Sequence, residues 1–91
     1  LKHFDTSTKI SFIKTNNKRG SILEIMSTDR PGLLASISLI FSDLKLNIHS
    51  AKITTFGEKV EDVFTISNSE YHSLSADEQE ILTEKLCDEL S

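Results

Sequence analysis

The chain has 91 residues and a formal net charge of −4 at pH 7, and 37% of its residues are hydrophobic. This length fits one compact domain of ordinary globular composition, which excludes the disordered, collagen-like and membrane-spanning classes. Nucleic-acid binding is disfavoured because it needs a clustered positive patch, and Lys18-Arg19 is the only adjacent basic pair.

Two strands are predicted near the start of the chain, after a tail or linker at residues 1–8. The tail begins without methionine and lacks the basic and apolar regions of a signal peptide, so we expect a cytoplasmic domain belonging to a longer chain, with the domain at residues 9–91. Lys9–Thr15 alternates apolar and polar residues, and the polar stretch up to Gly20 is typical of a hairpin loop. Ser21–Thr28 carries apolar side chains on both faces, which indicates a central strand.

A turn and a helix come next. The segment Asp29-Arg30-Pro31-Gly32 ends the strand, and we expect Pro31 in the first turn of the helix, where its missing N–H loses no hydrogen bond. The helix is predicted to run to about Lys45. Its apolar residues recur at steps of three and four, so one side is expected to pack on the sheet. These residues are Leu33, Ile37, Ile40, Phe41 and Leu44.

A second hairpin and a second helix complete the predicted elements. Asn47–Phe56 and Lys59–Ser67 have strand composition and are joined by a tight turn at Gly57-Glu58. Ser75 is followed by Glu78 at the spacing of a capping box, which predicts a helix start. The apolar residues of this helix repeat every four positions, at Leu82, Leu86 and Leu90.

The first strand of the second hairpin has an irregular apolar pattern. Ile48 has the opposite parity to Ala51 and Ile53, so these residues cannot share a face of a regular strand. Either a bulge lies near His49 and Ser50 or Ile48 packs on the other face, and we favour the bulge.

The order strand, strand, helix, strand, strand, helix predicts an α+β, ferredoxin-like fold in permuted form. We expect a four-stranded antiparallel sheet with both helices on one face, in which the N-terminal strand fills the place of the usual last strand. This arrangement leaves Ile22 and Met26 on the face of the sheet that carries no helix, here called the open face, where they are expected to support self-association.

No catalytic or metal-binding pattern is found in the sequence. It has no Gly-rich phosphate loop, no nucleophile elbow and no Cys/His metal spacing. The acidic pair Glu61-Asp62 lies on a strand, where its side chains point to opposite faces, so we expect a solvated strand edge and no paired acid-base chemistry.

The turn before the first helix is the best candidate for a binding site. A helix N-terminus presents unpaired N–H groups that can hold a carboxylate, and Gly32 lets a ligand approach the backbone. Asp29 could accept a hydrogen bond from a ligand ammonium group or cap the helix. Taken alone, the same residues are better explained by the needs of a strand-to-helix turn.

Two segments together resemble the core signature of ACT domains, small ferredoxin-like modules that bind amino acids and regulate attached enzymes. They are Asp29-Arg30-Pro31-Gly32-Leu33-Leu34 and Asn47-Ile48-His49-Ser50-Ala51-Lys52-Ile53. The continuation from Thr54 to Phe64 is similar to the second of two tandem ACT domains that end the bifunctional uridylyltransferase/uridylyl-removing enzymes acting on the PII signalling protein. The resemblance extends over most of the chain from about Lys9.

The resemblance implies a regulatory domain without catalytic residues or cofactor, in a parent enzyme that uses magnesium and modifies PII. It implies that the ligand, expected to be glutamine, lies between this domain and another ACT domain, in tandem or in a homodimer. The implied binding residues are Asp29, Arg30, Pro31, Gly32, Leu33 and Leu34 from one copy, and Asn47, Ile48 and His49 from the other. Without the resemblance, Asn47 would be explained as a helix C-cap and His49 as an exposed residue.

Two other functions are compatible with these patterns. One is a structural or dimerisation module that binds no ligand, and the other is the ACT domain of a (p)ppGpp synthetase/hydrolase, which shares the Asp-Arg-Pro-Gly loop but is less similar from Gly57 to Phe64.

Overall fold

The computed structural model describes residues 8–90, so most of the tail predicted at residues 1–8 lies outside the described residues. The six elements follow the predicted order. They are β1 (Lys9–Ile13), β2 (Ser21–Thr28), α1 (Leu33–Asp43), β3 (Asn47–Phe56), β4 (Lys59–Ser67) and α2 (Ala76–Leu90). Among the described residues, no helix is long and apolar enough to cross a membrane.

The four strands form one antiparallel sheet in the order β1-β2-β4-β3, which confirms the permuted ferredoxin-like topology. β1 pairs with β2 in the place of the missing last strand, with Ile10 opposite Ile25. It ends at Ile13, earlier than Thr15, because the following loop forms its own turns. There the Thr15 and Asn17 side chains accept backbone N–H groups two residues further on.

The predicted bulge in β3 is confirmed. Ile48 lies opposite Ile66 and Ser50 lies opposite Thr65, so the register shifts across His49. Because the bulge adds one residue to β3, the alternation of side chains shifts by one position. Ile48 therefore points to the same face of the sheet as Ala51 and Ile53.

The hydrophobic core lies between one face of the sheet and the two helices. Phe41 of α1 and Phe64 of β4 meet edge to face at its centre, with ring centroids 5.1 Å apart. The core covers β2 and β4, whereas nearly all of β3 is exposed. The buried apolar residues are Leu23, Ile25, Leu33, Ile37, Ile40, Phe41, Val60, Phe64, Ile66, Leu74, Leu82, Leu86 and Leu90.

The start of α1 differs from the prediction. The helix begins at Leu33, and Pro31 lies before it in a turn closed by the Leu33 N–H donating to the Arg30 carbonyl at 3.3 Å. Gly32 occupies the N-cap with a left-handed φ of 78° and makes no side-chain cap. The alternative that Asp29 caps the helix is therefore wrong. Its own N–H donates to the carbonyl of Glu58, which ties the turn to the second hairpin.

The end of α1 is a Schellman motif. The N–H of Leu46 donates to the Phe41 carbonyl, and the N–H of Lys45 donates to the Ser42 carbonyl. Lys45 adopts a left-handed φ of 57°, so the helix ends before Asn47, which begins β3 and is not a C-cap.

The start of α2 confirms the predicted capping box. The Ser75 hydroxyl accepts the Glu78 N–H at 3.2 Å, and the Glu78 carboxylate accepts the Ser75 N–H at 2.9 Å. The backbone hydrogen bond from Ser75 lowers the pKa of Glu78.

Replacing Lys45 with glycine should stabilise the domain. A non-glycine residue is strained in the left-handed region, and Lys45 is exposed, so little packing is lost with its side chain. We expect Lys45→Gly to raise the free energy of unfolding by about 0.5 to 1 kcal/mol in urea denaturation. Lys45→Ala is the control and should change it little, because alanine keeps the strain. An equal gain from both variants would contradict this account.

Candidate functional site

An open cavity of about 240 Å³ lies where the turn before α1 meets β3 and β4. It is bounded by the start of the helix on one side and by the helix-facing side of the two strands on the other. Its lining residues are Asp29, Arg30, Gly32, Leu33, Leu34, Ala35, Ile53, Thr55, Val60 and Asp62. The cavity therefore contains five of the six predicted loop residues, all except Pro31.

The helix N-terminus supplies hydrogen-bond donors to this cavity. The N–H groups of Leu34 and Ala35 have no carbonyl partner among residues 8–90. Gly32 leaves a ligand free to approach these N–H groups, since the place where a Cβ would lie has no atom within 4 Å. Its φ of 78° is also a structural reason for glycine. Free N–H groups and the positive end of the helix dipole favour an anionic ligand group here.

Asp62 is a buried carboxylate in the same cavity, so the predicted solvated edge is wrong for this residue. It lies on the helix-covered face of β4 and is only 2% exposed, while the neighbouring Glu61 points to the other face. The Oδ1 atom of Asp62 has no hydrogen-bond partner among residues 8–90. Its signal in the sequence was the alternation of β4, which places Asp62 in phase with the core residues Val60 and Phe64.

Burial raises the pKa of Asp62 above its ordinary value, and the nearby carboxylate of Asp29 raises it further. Both effects disfavour the charged form of Asp62. A cation or hydrogen-bond donor that enters the cavity would relieve them, and perturbed, unpartnered titratable groups of this kind are common in binding sites. The cavity thus presents donors at the helix start and acceptors on β4.

Arg30 lines the cavity and also contacts α2. Its guanidinium donates to the Glu89 carbonyl at 3.1 Å, near the C-terminus of α2. A cation is favourable at that end of a helix. Arg30 therefore links the turn to α2, and the groups that shift the pKa of Asp62 do not include it.

The second predicted group, Asn47, Ile48 and His49, lies at the other end of β3. Asn47 donates to the Asn68 carbonyl at 3.1 Å, and the His49 ring lies 2.8 Å from the Ser67 hydroxyl. The cavity is beside Ile53 and Thr55 instead, and the His49-to-Ile53 distance along the strand is about 13 Å. One chain does not bring the two predicted groups together.

Three other clefts are larger but lack this combination of charges. One of about 380 Å³ surrounds His49 and Tyr71, one of about 300 Å³ lies along the loop after β1, and one of about 260 Å³ lies between α1 and α2 beside Asp43 and Lys85. None of the three contains a buried unpartnered carboxylate among its described lining residues. Within residues 8–90, no three His, Cys, Asp or Glu side chains are grouped so that they could hold a metal ion.

Comparison with known proteins gives a consistent result. The family model described as the ACT domain matches residues 21–84. Proteins named bifunctional uridylyltransferase/uridylyl-removing enzyme are similar over most or all of the chain: 43% identical over 91 residues in Vibrio campbellii, 48% over 91 in Legionella pneumophila and 44% over 86 in Pasteurella multocida. These matches cover 100%, 100% and 94% of this chain but only 10%, 11% and 10% of the relatives. The chain spans about a tenth of the length of the curated relatives it matches.

The buried carboxylate predicts a specific dependence of stability on pH. Because the pKa of Asp62 is raised on folding, the folded chain binds more protons than the unfolded chain between the ordinary value of 3.8 and the folded pKa. Wild-type stability therefore falls as the pH rises through this window. Asp62→Asn removes the titration, so its free energy of unfolding should exceed that of the wild type at pH 7, and the advantage should shrink below pH 4.

Denaturation in urea at several pH values measures this difference. Glu61→Gln is the matched control, because it removes the same charge from the open face of the same strand. The control should follow the wild-type pH profile. A stability difference between Asp62→Asn and the wild type that does not change with pH would contradict the assignment.

Proposed function

The chain belongs to the ACT domain family, and we propose that it is the amino-acid-sensing regulatory domain of a bifunctional uridylyltransferase/uridylyl-removing enzyme. The observation that carries the proposal is the cavity itself. Free N–H groups at the start of α1 and a carboxylate on β4 line one small space. A free amino acid has a carboxylate and an ammonium group close together, so it matches both sets of partners.

The proposed ligand is glutamine. Its carboxylate would accept hydrogen bonds from the free N–H groups of Leu34 and Ala35 beside Gly32, and its ammonium group would lie near the carboxylates of the cavity. Its methylene groups would contact the apolar lining, which includes Leu33, Ile53 and Val60. The side-chain amide needs polar partners, and we assign them to a second ACT domain.

The second ACT domain is proposed to pair along β3, which is an exposed edge strand. Ile53 and Thr55 lie beside the cavity, and Asn47 to His49 lie at the opposite end of the strand. In an antiparallel pairing about a two-fold axis, the Asn47 end of β3 in each copy lies beside the Thr55 end of β3 in its partner. Asn47 and His49 of the partner would then lie next to the ligand.

Exposed apolar side chains support this pairing. Leu34 and Ile53 beside the cavity are 49% and 47% exposed, and Ile48 at the far end of the strand is 47% exposed. A second copy would cover all three and would also use the free hydrogen-bonding groups of the edge. Ile22 and Met26, on the open face, are already half-buried within one chain and form a weaker candidate surface.

The parent protein is proposed to be a bacterial cytoplasmic enzyme that modifies the PII protein in nitrogen regulation. The named relatives, which are about ten times longer than the chain, support this proposal. In such an enzyme the magnesium would belong to the catalytic region, and the ACT domain would report the glutamine level to it. A tandem ACT domain in the same parent could replace the second copy.

Blocking the approach to the helix N-terminus should abolish glutamine binding. Gly32→Ala places a methyl group in the open space of the cavity and forces alanine into a left-handed conformation. Gly57→Ala is the matched control, since Gly57 has a similar φ of 62° and an equally open Cβ position outside the cavity. Both variants should lose about 1 kcal/mol of stability, but only Gly32→Ala should lose glutamine binding in calorimetry.

Asn47→Ala extends this test to the second copy and should also weaken glutamine binding. Circular dichroism checks that each variant is folded. If Gly32→Ala and Asn47→Ala both bind glutamine as the wild type does, the turn is structural and sensing resides in another ACT domain. A wild-type chain that self-associates but binds no amino acid would identify a dimerisation module.

The two candidate association surfaces can be separated by charge substitution. Ile48→Asp places a charge on the helix-facing side of the exposed edge strand β3. Met26→Asp places a charge on β2, on the face of the sheet that the helices do not cover. We expect the wild-type chain to sediment as a dimer and Ile48→Asp to shift it to monomer, with a smaller effect from Met26→Asp. The reverse order of effects would assign the interface to the open face.

A further inference from the structure

Two buried side-chain oxygens in the domain have no hydrogen-bond partner among residues 8–90, the Oγ of Ser27 and the Oδ1 of Asp62. Both lie on the helix-covered face, on the neighbouring strands β2 and β4. A buried polar atom without a partner is costly, and a carboxylate is more costly than a hydroxyl. Of these two residues, only Asp62 lines the cavity at the start of α1, so only Asp62 borders a space that a ligand could enter.

We propose that Asp62 binds the ammonium group of the amino-acid ligand and thereby restricts the site to ligands with a free, positively charged amine. This proposal rests on the proposed function. It assigns recognition of the ligand amine to a residue of β4, whereas the turn supplies the N–H groups for the ligand carboxylate. Asp29 lines the same cavity and acts with Asp62 as a second carboxylate. Two carboxylates facing one cation form a strong and selective ammonium site.

The position of Asp62 supports this role. In the sheet, Asp62 lies opposite Ile53 on β3 and opposite Ile25 on β2, so apolar residues flank it on both sides. The turn that contains Gly32 and the start of α1 bounds the same cavity. A ligand whose carboxylate binds the helix N–H groups is therefore within a cavity that also contains the Asp62 carboxylate.

The surrounding charges leave this carboxylate available. Arg30 is the only basic residue that lines the cavity among the described residues, and its guanidinium is directed to the Glu89 carbonyl. The remaining titratable neighbour is Asp29, whose negative charge opposes that of Asp62. An entering ammonium group would be attracted to both acids and would relieve their repulsion.

The competing explanation is that Asp62 is a structural residue with no ligand contact. The described contacts do not favour it, because a structural buried carboxylate is normally satisfied by hydrogen bonds from its neighbours. The two explanations make different predictions for ligand selectivity. A structural residue would change affinity for all ligands alike, whereas an ammonium-binding residue changes it only for ligands that carry the amine.

The test measures selectivity with and without the carboxylate. Calorimetry on the 91-residue chain compares L-glutamine with 4-carbamoylbutanoic acid, which is glutamine without its amino group. The wild type should bind glutamine at least about tenfold more tightly than the deaminated analogue. Asp62→Asn should lose about tenfold or more in glutamine affinity and most of its discrimination between the two compounds, since only Asp29 then remains to bind the amine. Glu61→Gln, the matched control on the open face, should behave as the wild type.

The outcomes distinguish this proposal from the proposed function. If the wild type binds glutamine and Asp62→Asn keeps the full discrimination against the deaminated analogue, the ammonium site lies elsewhere and the sensing function stands. An equal loss of affinity for both compounds would make Asp62 structural and would also overturn the proposal. If the wild type binds neither glutamine nor any other free amino acid of a panel, the proposed function itself is wrong, and the assignment of Asp62 fails with it.

Discussion

The pairing of β2 with β4 is the interaction on which the rest of the domain depends. Their antiparallel register places Leu23 opposite Phe64 and Ile25 opposite Asp62 on the face that both helices cover. The apolar pairs form the floor of the core, and burying them supplies the main driving force for packing the helices. The same register places Asp62 among the apolar residues of this face. The buried carboxylate is therefore a direct consequence of the strand pairing that builds the core.

The helices cover the sheet unevenly, and this unevenness creates the site. α1 and α2 pack over β2 and β4, whereas nearly all of β3 stays exposed. The cavity opens at the boundary between the covered and uncovered strands, where the start of α1 lies near Ile53. The exposed edge strand and the cavity therefore lie side by side, so the proposed ligand site and the proposed pairing surface adjoin each other.

The site also carries features that reduce stability. Asp62 is buried without a partner for its Oδ1 atom, and the α1 turn relies on a left-handed Gly32 instead of a side-chain cap. At the other end of α1, Lys45 is strained by its left-handed φ, but Lys45 does not line the cavity. Only the features at the start of α1 face the cavity. A ligand that satisfies them would stabilise the folded domain by binding it selectively.

The sequence by itself determined the element order, the β3 bulge and the capping box at Ser75, because each follows from local periodicity or from side-chain chemistry that acts over a few residues. The permuted sheet then followed from that element order and the general rules of chain topology. The sequence also marked the turn from Asp29 to Leu34 as the candidate site. It did not determine the helix start after Pro31 or the left-handed Lys45, since both depend on how α1 is joined to the sheet. Only the tertiary structure decided that Asp62 faces the cavity and that Asn47 to His49 lie at the other end of β3. These placements are set by strand register and helix coverage, which join residues distant in the sequence, whereas the alternation of β4 indicates only the face on which Asp62 lies.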